Sequence, residues 1–327
     1  MDGVDAPGGT DLGPALDRHR RELVVHCYRM LGSVHDAEDL AQETLMRAWA
    51  ARGRYDATRA SVRTWLYRIA TNACLTALES RPRRPLPSGL GPAGTDPDVA
   101  LTPDVEVPWL QPIPGRLLEL GSDPQARAAQ RDSVRLALVA ALQLLPARQR
   151  AVLLLRDVLE FGSAEVAGQL GTTVAGVNSA LQRARATLAA ALPAEAGMRA
   201  PDDPAVAATV ERFVAAFEAA DVAAIVALLT DDVVLEMPPV PLWFAGREDY
   251  GRFMQRVFRV RGTGWRAVPA TANGQPALVA YCPDADGVLR LHTLQVLTVR
   301  PDGIARNVVF QDGAVFELFG LRPVLDG

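Results

Sequence analysis

The stretch EVAGQLGTTVAGVNSALQRARATL, Glu165 to Leu188, puts Asn178, Ser179, Gln182, Arg183 and Arg185 on the polar side of one expected helix. Asn and Gln amides can pair with the edge of adenine, and a guanidinium can grip guanine or phosphate. Together these residue types suit the reading of a groove rather than the making of bonds. SAEVAGQL and TVAGVNSALQRARATL are expected to form two helices joined at GT. Ala167 is small where the helices would cross, Gly171 permits the left-handed turn, and Val177 packs the second helix on the first. Thr173 and Ala175, with Asn178, Ser179 and Gln182, fall in the N-terminal, base-facing part. A merely solvated face would carry the same residue types, so this helix pair alone leaves DNA binding open.

Bond-making chemistry finds little support elsewhere. Asp231, Asp232, Tyr281 and His292 are the nameable acid–base candidates. Asp231 and Asp232 can equally stop a helix, and a lone His292 on a strand is more often structural. No catalytic residue, metal constellation or cofactor is expected. The three cysteines, Cys27, Cys74 and Cys282, lie far apart among apolar neighbours and read as buried thiols.

The elements that must position the reading helix emerge from charge and periodicity. Every basic side chain is Arg, so phosphate contacts from basic side chains use guanidinium groups. The net charge of −4 conceals an alternation of +5 over 16–84, −5 over 85–124, +4 over 125–193 and −5 over 201–327. Two basic blocks around an acidic linker suit two nucleic-acid contacts on one chain. No apolar run approaches a membrane span, and the polar start MDGVDAPGGTD lacks signal-peptide character, so a soluble, cytoplasmic protein is expected.

Helical spacing of Leu16, Leu23, Cys27 and Met30/Leu31 predicts a first helix ending at Gly32. A second follows Ser33 or Asp36, with Leu40, Ala41, Thr44, Leu45, Ala48 and Trp49 as its buried stripe. A third buries Trp65, Leu66, Ile69, Ala73 and Leu78. Pro and Gly then mark a linker in which Trp109, Leu110 and Ile113 of PWLQPIPG need a surface to lie on. Helices resume over 125–193, and GMRAPDDP, Gly197 to Pro204, is a second boundary. From there two helices, VAATVERFVAAFEAADVAAIVALL and REDYGRFMQRVF, precede four strand-like runs separated by NG, DADG and PDG turns. An α+β domain with a curved antiparallel sheet is expected.

GSVHDAEDLAQETLMRAW with TWLYRIATNACLTAL resembles region 2 of a sigma-70 factor of the extracytoplasmic-function (ECF) group. LQLLPARQRAVLLLRDVLEFGSAEVAGQLGTTVAGVNSALQRARATL resembles region 4 of the same group. FVAAFEAADVAAIVALLTDDVVLEMPP and VVFQDGAVFELFGLRP resemble the SnoaL-like, nuclear-transport-factor-2-like fold, and PWLQPIPG is similar to the linker of the sigma factors that carry such a tail. The resemblance implies a multidomain chain. Region 2 would occupy 16–84, the acidic linker 85–124, region 4 residues 125–193, and an α+β, cone-shaped regulatory domain 203–327.

The resemblance also implies roles. Asp39, Gln42, Glu43 and Arg47 would dock on the clamp helices of the β′ subunit, the expected partner being core RNA polymerase with its β and β′ subunits. Arg54, Tyr55, Ser61, Arg63, Arg68 and Asn72 would engage the −10 element as single-stranded DNA, with a base pocket from the loop RYDATRAS and phosphate contacts from Arg81, Arg83 and Arg84. Thr71 stands where relatives often carry Arg. Thr173, Ala175, Asn178, Ser179, Gln182, Arg183 and Arg185 would read the −35 element of promoter DNA. The acidic linker would lie in the basic channel that RNA later occupies, and Trp109, Leu110 and Ile113 would supply the linker contact.

For the tail, regulation in cis, binding of a small apolar ligand, and catalysis compete as readings, with regulation favoured. A sigma factor is thus expected, a non-enzyme with no cofactor. The alternatives are a one-component helix-turn-helix regulator with a ligand-sensing tail, or an isomerase fused to a DNA-binding arm.

Overall fold

The computed structural model describes residues 12–118, 128–129, 131–192 and 203–325. The boundary expected at Gly197 to Pro204 lies outside the described residues up to Asp202, as do the end of the expected linker and the first residues of the following helical block. In chain order the helices are α1 (Leu12–Leu31), α2 (Val34–Ala50), α3 (Val62–Ser80), α4 (Leu136–Leu142), α5 (Ala147–Leu153), α6 (Ser163–Leu170), α7 (Val174–Ala191), α8 (Pro204–Glu218), α9 (Val222–Ala227), α10 (Arg247–Arg261) and α11 (Gly313–Phe319). The chain divides into two compact units, residues 1–82 with 145–187, and residues 83–144 with 188–327.

In the first unit α1 packs on α2 and α3 around Leu23, Cys27, Leu31, Leu66, Ala70 and Cys74, all buried. Burying each Leu stabilises the bundle by about 1.5–3 kcal/mol. Ser33 caps α2 by accepting from the Asp36 amide at 3.2 Å, and Ser61 caps α3 by accepting from the Thr64 amide at 3.0 Å. Gly32 ends α1 at φ 71°. Cys27, Cys74 and Cys282 are free and buried.

The stripe expected on α2 needs a correction. Leu40, Ala41, Thr44 and Ala48 are buried, but Trp49 is 48% exposed, its ring covered on one side by Arg52 at 4.6 Å. On α3, Tyr67, Ala70, Thr71 and Cys74 join Leu66 and Ala73 in the core, while Trp65, Ile69 and Leu78 are half-buried. Bulky apolar residues at helical spacing mark a face but do not tell which edge of it neighbouring helices cover.

Arg150 of α5 ties this unit together. It is buried, and donates to the backbone carbonyl of Met30 at the end of α1 and to that of Leu145 at 3.1 Å. Burial pulls its guanidinium down to about 10, still charged at neutral pH. Beyond α5 the chain widens into a π turn over Leu154–Val158, then enters α6 and α7. Gly171 joins them in the left-handed conformation at φ 61°, as its position in the sequence suggests.

The second unit holds a six-stranded sheet: β1 (Leu229–Glu236), β2 (Trp243–Ala245), β3 (Arg266–Ala272), β4 (Gln275–Pro283), β5 (Leu289–Arg300) and β6 (Gly303–Phe310), in the order β2-β1-β6-β5-β4-β3. The four expected strands are β3 to β6. LTDDVVLE, which also reads as a helix stop, is instead β1, and it pairs parallel with β6, so the sheet is mixed. The first expected tail helix breaks into α8 and α9 at Ala220 (φ 53°), and Asp221 caps the second piece. Phe213, Phe217, Ile225, Leu235, Tyr250 and Trp265 close a core between these helices and the sheet.

Gly303 opens β6 at φ 141°, and a Cβ there would lie 2.6 Å from the Leu228 carbonyl oxygen. Gly303→Ala is expected to destabilise the second unit by about 2–3 kcal/mol, read as a lowered thermal midpoint of the full chain. An unchanged midpoint would contradict the packing of β6 against the α9–β1 junction.

Candidate nucleic-acid interface and tail cavity

On α2, Asp39 and Gln42 are exposed, Glu43 is half-buried, and Arg47 pairs with Glu43 at 2.7 Å. Sequence reasoning missed Met46, which is 65% exposed and follows Asp39, Gln42 and Glu43 at helical spacing. Met46 and exposed Trp49 give this charged face an apolar patch, the usual mark of a surface that takes a protein partner. The signal for it was their size at positions where the helix leaves the bundle.

Between α2 and α3 lies an open cavity of about 700 Å³ lined by Arg47, Ala50, Ala51, Arg54, Trp65, Arg68, Ile69 and Asn72. It gathers three guanidinium groups, one amide and an indole. Trp65 serves it as a wall, with its ring 5.0 Å from that of Tyr55. Cations for a phosphate chain beside aromatic faces for a base are what single-stranded nucleic acid requires. From the loop RYDATRAS, Arg54 lines the cavity. The remainder folds on itself through Tyr55 Oη donating to the Ala60 carbonyl and Asp56 accepting from the Thr58 amide at 2.9 Å.

Other expected residues lie differently. Ser61 is the α3 cap. Arg63 reaches Glu22 at 3.5 Å and covers the rings of Tyr67 and Phe161. Arg81 pairs with Asp36 at 2.7 Å, Arg83 donates to the Gly89 carbonyl, and Arg84 to the Trp109 carbonyl, so each is held locally. Thr71 is fully buried against His26, so its position does not face a strand at all.

Helix α7 buries Val177, Leu181 and Ala184, and Ala175, Asn178, Ser179, Gln182, Arg183 and Arg185, with Thr173 just before it, are exposed. Thr173 also caps α7 by accepting from the Gly176 amide at 3.0 Å. Arg183 donates to Ser179 at 2.6 Å, Ser163 to Asn178 at 3.1 Å, and Arg185 forks onto Asp157 at 2.8 and 2.7 Å. Asp157 thus holds Arg185 at a fixed angle, at the cost of competing with any phosphate. Within the same unit Thr64 of α3 donates to Glu165 of α6 at 3.1 Å, and Phe161 packs edge-on to Tyr67.

In the second unit the chain from Arg83 to Leu118 lies along the sheet. Trp109, Leu110 and Ile113 are buried. The Asn273 amide donates to the Ile113 carbonyl at 2.9 Å, its Oδ1 accepts from the Ile113 amide at 3.0 Å, and its Nδ2 donates to the Val134 carbonyl at 2.7 Å. Gln275 accepts from the Leu136 amide at 2.8 Å. Glu236, fully buried, accepts from the Ser88 amide at 2.9 Å and from Arg306 at 2.6 Å.

The sheet and α10 also enclose a cavity of about 420 Å³. Of the four acid–base candidates, His292 lines it; Asp231 pairs with Arg247, Asp232 with Arg300, and Tyr281 donates to the Arg322 carbonyl. Among the described residues no group of three metal-ligating side chains occurs, and no helix is long and apolar enough to cross a membrane.

A three-helix bundle with a basic cavity, a helix-turn-helix and a cone-like α+β domain define a sigma-70 type factor with an added tail. The chain matches the family models for Sigma-70 region 2 over residues 15–84, Sigma-70 region 4 over 135–188 and the SnoaL-like domain over 210–315. It is 47% identical over 317 residues to the ECF RNA polymerase sigma factor SigG of Mycobacterium tuberculosis, spanning 96% of this chain and 85% of SigG. It is 29% identical over 280 residues to SigJ of the same organism, spanning 82% of this chain and 81% of SigJ. The crystal structure of SigJ superposes with a TM-score of 0.65 at 25% identity, covering 95% of this chain and all of that one. The chain belongs to the ECF RNA polymerase sigma factor family, whose members bind RNA polymerase and direct promoter-specific initiation.

The α3 helix that carries Arg68 and Asn72 rests on His26. Its Nε2 lies 2.9 Å from Thr71 Oγ1, and its Nδ1 is buried with no partner. Burial first, then Arg29 and Arg63, push its pKa down to about 3. The folded state therefore holds neutral His26, and this stability is present above about pH 6.5 and lost as the pH falls toward 3. Between pH 6.5 and 4.5 the loss is on the order of 2–3 kcal/mol. Urea unfolding of wild type and His26→Gln at the two pH values is expected to show a flatter dependence in the variant; parallel slopes would contradict a buried neutral imidazole.

Proposed function

We propose that the exposed α2 face, Asp39, Gln42, Glu43, Arg47 and with them Met46 and Trp49, docks on core polymerase. The cavity of Arg47, Arg54, Trp65, Arg68 and Asn72 then takes the unstacked −10 strand, and α7 reads the −35 duplex. The C-terminal SnoaL-like domain tunes this activity in cis by holding the linker and the first helix of region 4. SigG and SigJ are RNA polymerase sigma factors by name, which supports carrying the partner over to this chain.

The observation that carries the regulatory part is the Asn273 clasp. Linker residues buried on the sheet of the tail cannot at the same time lie in a polymerase channel, so tail and polymerase compete for one segment. A competing state lowers apparent affinity by the fraction of molecules it occupies. The tail therefore acts as a brake. Region 2 and region 4 must also let go of each other, at Thr64–Glu165, at Phe161 and at the buried Arg150–Met30 bond, before they can engage two separate promoter elements.

Asn273→Gly keeps the left-handed turn (φ 54°) but removes the two side-chain hydrogen bonds to Ile113 and Val134. At about 1 kcal/mol each, their loss is expected to raise run-off transcription several-fold at limiting core polymerase, from the promoter upstream of this chain's own gene. An unchanged yield would sink the brake. Arg68→Ala and Asn72→Ala are expected to abolish permanganate-reactive melting at −10 with the thermal midpoint unmoved, since both side chains are exposed; wild-type melting would remove the cavity from the mechanism.

A further inference from the structure

The tail cavity has a composition that selects a ligand. Its walls are apolar and aromatic, with Phe217, Phe253, Met254 and Trp265 among them, and about 420 Å³ accommodates a molecule of two or three fused rings. No carboxylate lines it, whereas Arg256 and Arg261 do. Arg256 is spoken for by the Pro97 carbonyl at 2.8 Å. Arg261 is exposed at the end of α10 and makes no ion pair among the described residues, and its charge is felt at His292 in the wall. Burial, with Arg261, holds His292 down to about 4, so it is neutral at physiological pH, 3.1 Å from the Gln311 amide nitrogen.

At the cavity wall stands Asn307, 1% exposed. Its Nδ2 donates to Tyr250 Oη and Gln295 Oε1, both at 2.9 Å, but its Oδ1 is buried with no partner. An unsatisfied buried acceptor costs about 1–3 kcal/mol unless something donates to it. The linker completes the enclosure. Leu101 and Pro103 line the cavity, and α10, which supplies much of the wall, also holds the linker through Arg256 and through Arg259 on Asp98 at 2.7 Å.

We propose that this cavity binds an apolar, ring-bearing weak acid with a hydroxyl group, the anion at Arg261 and the hydroxyl donating to Asn307 Oδ1, beneath Leu101 and Pro103 of the linker. That such binding reports to initiation rests on the reading of the tail as a brake; the site itself does not.

The test is calorimetric titration of the full chain with 6-hydroxy-2-naphthoic acid, 2-naphthoic acid and 2-naphthol. The hydroxy acid is expected to bind tightest, one per chain. Arg261→Gln should weaken both acids about tenfold and leave 2-naphthol unchanged. Asn307→Leu should weaken the two hydroxylated probes and leave 2-naphthoic acid unchanged. Because Asn307 also holds Tyr250 and Gln295, the surface variant Arg261→Gln decides the matter by itself. Failure of all three probes to bind, or equal affinity of wild type and Arg261→Gln for both acids, overturns the site. Run-off transcription with saturating hydroxy acid separates the two ideas: binding with an unchanged yield keeps the site and removes its link to initiation, and a brake released by Asn273→Gly without any probe binding does the reverse.

Discussion

One asparagine at a hairpin turn organises the second unit. Asn273 sits fully buried in the left-handed conformation between β3 and β4, where Asn and Gly are the residues that tolerate such a backbone. Its backbone and side chain together satisfy both polar groups of Ile113 and the carbonyl of Val134. These are segments that would otherwise bury unpaired peptide groups. The apolar side chains of the linker can lie on the sheet because that polar account closes. Gly115 then passes so near Thr271 that a Cβ would meet its hydroxyl at 2.2 Å. The clasp, rather than hydrophobic burial alone, sets the register of the linker on the tail.

Much of this was legible beforehand, for physical reasons that also mark the limit. Gly171, Ala167 and Val177 encode the helix-turn-helix because a left-handed residue, a small residue and an apolar residue at fixed offsets have few other uses. Trp109, Leu110 and Ile113 among prolines announce a covered linker, since a solvated one has no need of them. What covers it was not legible, because NG between two strands reads as a hairpin turn whether or not its asparagine has partners from far along the chain. Strand β1 was hidden because TDD, between two apolar runs, reads as well as a helix stop. Trp49 and Trp65 were misplaced in the core because periodicity assigns a face, not its edge. Thr71 sits in the expected phosphate-contact row, yet its side chain turns inward to His26.

The first unit meets an opposite constraint. On the function proposed above, its parts must cohere in one state and separate in another. Arg150 joins α5 to the end of α1 through the Met30 carbonyl and also holds the Leu145 carbonyl; burial lowers its guanidinium to about 10, so it stays charged at neutral pH. Around it, α3 meets α6 and the chain leading into it through one hydroxyl–carboxylate bond, an arginine over the Phe161 ring and that ring's edge-on contact with Tyr67. Contacts of that kind are cheaper to open than the apolar bundle of α1 to α3, but parting the two regions also breaks the buried Arg150–Met30 bond, which adds to the cost.

The same logic ties the cavity to the linker. Helix α10 lines the cavity with Phe253, Met254, Arg256 and Arg261, and reaches the linker through Arg256 on the Pro97 carbonyl and Arg259 on Asp98. An occupant can change the affinity of the linker for the tail only by the difference in its own affinity for the docked and undocked states. If the linker undocks as proposed, Leu101 and Pro103 would supply that difference, because they line the cavity only while the linker is docked. On that proposal, a ligand that needs them would favour the docked linker and hold the proposed brake on. One too large to sit beneath them favours release. On the proposed brake, the sign of control would follow from ligand size against a wall that the linker itself completes, and the reciprocal effect, tighter binding of such a ligand when the linker is docked, would be required by the same equilibrium.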